Sequence, residues 1–194
     1  MQENLTKKNL IIIIVLALLA FGFFYSKSKK SVINEVSSYD EYLQQGINYE
    51  TEKDFTNAIE AYKKAAELSP KDYVPYSNIG SAYVSLKQYS EAETAFLKAI
   101  ELTLNNVSVY TKLYDLYYHG LRRYPHQMNA FFEDAMKNTN NDINIVKLYA
   151  FYLEEINDPE SALPIWQSLL KFEPDNASYK TKIEALQKKI KINQ

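Results

Sequence analysis

The chain repeats itself with a period of 34 residues, and this constrains its fold more than any other feature. Residues 39–72 fall in register on 73–106: Tyr42 on Tyr76, Gly46 on Gly80, Tyr49 on Tyr83, Phe55 on Tyr89, Ala58 on Ala92, Tyr62 on Phe96 and Ala65 on Ala99. Glycine occurs only four times, and two of the three outside the apolar N-terminus are this matched pair. A fixed period of this size means stacked supersecondary units rather than one closed core.

Within each unit the apolar residues recur at helical spacing. In the first, Tyr42, Gln45, Gly46 and Tyr49 share one helix face, and Phe55, Ala58, Ile59, Tyr62, Ala65 and Ala66 form the stripe of a second helix. Gly46 and Ala58 are small where two helices must approach closely. Pro70 then closes the unit, because proline cannot continue a helix. The second unit, 73–106, follows the same plan. The third, 107–142, is longer by two residues, with Tyr110, Leu113, Tyr114 and Tyr117 on its first helix and Phe132 and Ala135 on its second. Its central turn, 119–126, holds both histidines and both arginines of the chain. The fourth, 143–176, returns to the regular length; Asp158-Pro159 is a strong helix start, and Pro164 lies deeper in that helix. Residues 177–194 form a Lys-rich amphipathic cap with Ile183, Leu186 and Ile190 as its apolar edge.

These residues resemble the tetratricopeptide repeat, a 34-residue helix–turn–helix unit with the pattern W-x2-L-G-x2-Y, A-x3-F and P. The pattern reads Tyr42, Gly46, Tyr49, Ala58, Tyr62 and Pro70, then Tyr76, Ile79, Gly80, Tyr83, Ala92 and Phe96. In the fourth unit it reads Val146, Tyr149, Ala150, Leu153, Ala162, Trp166 and Pro174. The resemblance implies an all-α solenoid of four repeats (39–72, 73–106, 107–142, 143–176) with a capping helix. It also implies a right-handed superhelix whose first helices line a concave, protein-binding groove. On that basis the groove carries Leu43, Ile47 and Glu50, then Ser77, Asn78, Ser81 and Val84, then Thr111, Asp115 and Tyr118, then Lys147, Phe151, Glu154 and Glu155. Some family members grip a partner's C-terminal carboxylate. Asn78 and Lys112 suit that role, but Leu43 and Ile47 stand where a lysine and an asparagine are wanted.

Most of the tyrosines fall on repeat-defining positions, which favours packing over ligand stacking. Tyr118 and Phe151 lie off that pattern and are the better partner anchors. Arg122 and Arg123 are a second candidate contact, for an anion or an acidic partner.

Residues 10–25 are apolar without a charge, following a short tail, 1–9. As a helix they rise about 24 Å, and the flanking Lys7, Lys8 and Lys27 can snorkel to cover the remainder of a bilayer core of roughly 30 Å. Phe23, Phe24 and Tyr25 extend the stretch past the small residues Ala20 and Gly22, and Lys27, Lys29 and Lys30 follow as a membrane-edge stop. An uncleaved single-pass anchor is expected, with 26–38 as a juxtamembrane linker and the body outside the cytoplasmic membrane of a bacterial-type cell. Residues 1–38 carry five lysines against two acids, whereas 39–194 carry 17 basic and 22 acidic side chains. Nucleic acid is therefore not the expected partner, since phosphate neutralisation needs clustered cations.

The chain has no cysteine and two histidines, His119 and His126. It contains no phosphate-cradling glycine loop, zinc-binding His-Glu-x2-His or nucleophile elbow. Adjacent Glu154 and Glu155 point to different sides of a helix and do not form a facing acid–base pair. The expectation is a protein without catalytic residues, cofactor or metal that binds a protein or peptide segment in its groove as a scaffold or adaptor. The alternative is a structural subunit that packs through its repeats or C-terminal helix, including against a second copy.

Overall fold

The computed structural model describes residues 38–192. The tail 1–9, the expected anchor 10–25, the linker 26–38 apart from Ser38, and residues 193–194 lie outside the described residues. Ser38 already belongs to the first helix.

Regular structure among the described residues is entirely helical. It comprises α1 (38–51), α2 (Phe55–Leu68), α3 (Tyr73–Ser85), α4 (Tyr89–Leu102), α5 (Val107–Asp115), α6 (Pro125–Asn138), α7 (Ile143–Glu155), α8 (Pro159–Phe172) and α9 (Ala177–Ile192). Residues Leu116–Gly120 continue α5 as a π-helical turn. Among the described residues no helix is long and apolar enough to cross a membrane. Two compact units emerge, one ending at Pro70 and one starting at Lys71.

The helix starts are written in the sequence at repeat spacing. Asp72, Asn106 and Asp142 cap α3, α5 and α7 by accepting backbone N–H groups of the first turn, and Asp54 and Asp158 do the same for α2 and α8. Such a side-chain oxygen satisfies a donor that the helix itself leaves unpaired.

The tight turns inside the units follow one design. Lys53, Lys87 and Asn157 take positive φ of 62°, 59° and 61°, each just past the end of a first helix. The next residue's N–H then reaches back to Tyr49, Tyr83 or Leu153 at 2.8–2.9 Å, satisfying a carbonyl that the ending helix leaves free. The third unit breaks this plan. Its two extra residues are absorbed by the π-helical turn, in which Leu121 N–H donates to the Leu116 carbonyl at 2.8 Å, and Arg122 takes the left-handed position with φ 49°. Pro164 does not end α8, which continues to Phe172.

In the first unit, Ala58, Tyr62 and Ala65 are fully buried. A Cβ on Gly46 would overlap the Tyr62 ring, so the absence of a side chain is what lets α1 lie against α2. The second unit repeats the device: a Cβ on Gly80 would lie 2.6 Å from Phe96. There α3 packs on α4, α5 on α4 and α7, α7 on α8, and α8 on α9. Their core runs from Ala92 and Phe96 through Phe132 and Trp166 to Ile183 and Leu186 on the cap. Only some of the pattern tyrosines reach full burial. Tyr62 and Tyr110 do; Tyr42, Tyr49, Tyr76, Tyr83, Tyr117 and Tyr149 are half-buried. Tyr152, which is off the pattern, is buried to 1% because the third unit's aromatics close around it.

Candidate functional site

The first helices of the second unit carry most of the residues expected to meet a partner. Ser81 and Val84 on α3 and Asp115 on α5 line one open cavity of about 570 Å³, together with Lys112, His119 and Gly120. Tyr89, Phe96 and Leu116 give it an apolar lining. Asn78 borders a smaller hollow of about 190 Å³, with Tyr73, Ser108 and Lys112. Asp115 is exposed overall, yet partial desolvation of its carboxyl raises its pKa, opposed by neighbouring His119. Ser81 and Thr111 donate their hydroxyls back to the carbonyls of Ser77 and Val107, leaving oxygen lone pairs as what they offer outward.

Ser77 departs from expectation. It is 4% exposed, and its hydroxyl accepts the Lys112 ammonium at 3.0 Å. It braces α3 against α5 instead of facing a partner.

Tyr118 reaches the face because of the π-helical turn. Its ring stacks on Tyr114 at 5.7 Å and meets Tyr152 edge-on at 5.8 Å. Its hydroxyl bonds Glu155, and desolvation followed by that carboxylate raises its pKa. Desolvation and the same carboxylate raise that of Tyr114. Tyr117, one residue earlier, turns the other way, towards Phe131 and Arg123.

On α7, Lys147 is half-buried, while Phe151 keeps 44% of its surface exposed. Glu154 is already engaged. It accepts the indole N–H of Trp166 at 2.7 Å and the ammonium of Lys182, on the capping helix, at 2.9 and 3.0 Å. That ammonium also lies 4.6 Å from the Phe151 ring centroid and 4.9 Å from that of Trp166. The cap therefore covers part of the α7 face. Nothing in the sequence pattern marked Lys182, since it is one of several lysines on an amphipathic helix.

The two arginines separate. Arg123 makes a forked ion pair with Glu93 on α4, at 2.7 and 2.8 Å, and stacks over Tyr117 at 5.2 Å. It latches the long turn to α4 and is not open to a partner. Arg122 is exposed, as are Tyr124 and His126, whose rings stack 6.1 Å apart. Among the described residues no group of three or more acidic or histidine side chains is placed to hold a metal.

In the first unit, Leu43 and Glu50 are half-buried and Ile47 is 44% exposed. Glu50 accepts the Tyr62 hydroxyl at 2.9 Å. Desolvation, and then Glu50, push the Tyr62 pKa well above the ordinary tyrosine range.

Residues 50–114 match the family model of the tetratricopeptide repeat. The chain carries tetratricopeptide repeats. Solved structures share the fold of these repeats beyond the matched segment. The crystal structure of MamA aligns with a TM-score of 0.57 at 21% identity, over 78% of this chain and 87% of that one. YrrB, described as a tetratricopeptide repeat protein with an unusual peptide-binding site, aligns at 0.55 and 18% identity, over 84% and 83% of the two chains. PilF of Pseudomonas aeruginosa aligns at 0.55 and 16%, over 81% of this chain and 71% of its own. Among curated proteins, none matches the chain.

Proposed function

We propose that this tetratricopeptide repeat protein is a membrane-anchored scaffold that holds a segment of another protein on the face built by its first helices. The observation that carries this reading is the open cavity of about 570 Å³ between α3 and α5, with an apolar lining and the polar groups Ser81, Lys112 and Asp115 beside it. An apolar hollow with a few placed polar groups suits a side chain of a docked segment. Tyr118 and the exposed Phe151 add aromatic anchors of the kind that dominate interfaces. The peptide-binding site of YrrB, a protein of the same fold, supports the same use.

The membrane part of the reading rests on residues 10–25, an uninterrupted apolar stretch flanked by lysines. It anchors the array, with the body outside the cytoplasmic membrane, where it assembles or handles other proteins. The chain holds and does not turn over, because no nucleophile–base pair or metal cluster accompanies the cavity among the described residues.

A second reading, a subunit packed permanently in a complex or against another copy, is favoured by one patch. Phe172 is 77% exposed and borders a cavity of about 510 Å³ lined by Ile143, Val146, Ile165 and Leu169.

Photo-cross-linkers placed at Ser81, Tyr118 and Phe151 in native membranes test the scaffold reading. Capture of one defined partner from these positions supports it. Cross-links forming only at Phe172 favour the structural subunit. A reporter fused after Gln194 that works only in the cytoplasm overturns the proposed orientation.

A further inference from the structure

The fourth repeat contains a filled lysine site, and the first repeat contains its unfilled counterpart. In the fourth, Glu154 is oriented by the N–H donor of an aromatic twelve residues later, Trp166, and exposed Phe151 lies one helical turn before it. Lys182 occupies the resulting corner: its ammonium bonds Glu154 and faces both rings. The cation has an acceptor, two aromatic quadrupoles and an apolar shelf for its stem.

The first repeat has the same construction in register. Glu50 stands for Glu154, Tyr62 for Trp166 and Ile47 for Phe151. Tyr62 donates to Glu50 across the same twelve-residue separation, at 2.9 Å. Ile47 has the same 44% exposure as Phe151. Among the described residues, Glu50 has this hydroxyl as its partner and no cation. The residue 28 positions after Glu154 is Lys182, whereas 28 positions after Glu50 the chain has uncharged Asn78.

We propose that the Ile47–Glu50–Tyr62 face is a subsite for a lysine side chain of the bound partner. The acid is held in place by a buried hydroxyl, its negative charge has no cation of its own, and Ile47 offers the shelf that Phe151 offers Lys182. Charge complementarity selects a basic segment, unlike the acidic C-terminus gripped by a carboxylate clamp. This subsite presupposes the partner-holding function proposed above and adds the chemistry of the residue that is held.

The test uses the full-length chain in detergent, labelled at isoleucine methyls, titrated with N-acetyl-lysine methylamide and with its Nε-acetylated form. The charged probe is expected to shift the Ile47 signal saturably, and the acetylated probe to bind about tenfold more weakly. Glu50→Gln keeps an acceptor for Tyr62 and should remove the difference between the two probes. In a Lys182→Met chain the charged probe should also perturb Trp166 fluorescence, as it enters the vacated corner. Equal response to both probes at Ile47, or no response there, overturns the lysine subsite whether or not the Trp166 corner responds. Neither result bears on whether Ser81, Tyr118 and Phe151 capture a partner, so failure of the subsite and failure of the scaffold are read separately.

Discussion

The indole N–H of Trp166 donates to Glu154 at 2.7 Å, binding the second helix of the fourth repeat to the outward face of the first. The family pattern requires only a large aromatic at this position. The donor on that aromatic decides what its neighbour twelve residues earlier can be. Trp166 and Tyr62 face glutamates, whereas Phe96, which has no donor, stands in register with Val84. A buried aromatic with a polar tip thus sets the charge of a surface residue.

Trp166→Phe should cost about 1 kcal/mol or somewhat more for the lost hydrogen bond and smaller ring. Glu154 keeps Lys182, so the chain should remain folded. Urea denaturation followed by circular dichroism measures the change. Stability equal to the parent would mean that the contact contributes nothing.

Gly80→Ala places a Cβ 2.6 Å from the Phe96 ring, in a core with little room to give. The gain in helix propensity, about 1 kcal/mol, is outweighed by overpacking of about 1–3 kcal/mol. The variant should be destabilised, and combining it with Phe96→Leu should recover part of the loss in the same denaturation assay.

Arg123→Ala should lower stability by about 1–2 kcal/mol, because the forked pair with Glu93 is mostly shielded from water and braces the irregular turn. Arg122→Gly should be neutral or stabilising, since glycine takes a φ of 49° without a Cβ penalty. Thermal melts of the two variants should therefore move in different directions, or only the first should move.

Desolvation raises the hydroxyl pKa of Tyr62, Tyr110, Tyr114, Tyr117, Tyr149 and Tyr152. In the unfolded chain these groups titrate near their ordinary value of about 10. Above that pH the unfolded state releases protons that the folded state retains, so alkali favours unfolding. The stabilising difference is complete below about pH 10 and is lost as pH climbs towards the raised folded values. Denaturant midpoints from pH 8 to 11 should hold steady and then fall. Tyr62→Phe should flatten that fall, and an unchanged alkaline slope would remove Tyr62 from the account.

The repeat, the helix starts and the small residues at Gly46 and Gly80 could all be read from the chain, because each is a local demand. A cap needs a short oxygen-bearing side chain before the first turn, an amphipathic stripe needs its period, and a close helix crossing needs a missing Cβ. The same reasoning placed Ser81, Val84 and Asp115 in one neighbourhood, since residues on successive first helices recur at the repeat spacing.

Tertiary packing settled what the period could not. Whether Ser77 faces out or braces Lys112, whether Arg123 is open or latched to Glu93, and which lysine covers Phe151 all depend on side chains 28 to 35 residues apart meeting in space. The π-helical turn that parts Tyr117 from Tyr118 likewise follows from fitting two extra residues between fixed helix contacts. Local sequence sets which way a helix begins and ends; the partners of a long side chain are chosen by whatever the neighbouring repeat brings within reach.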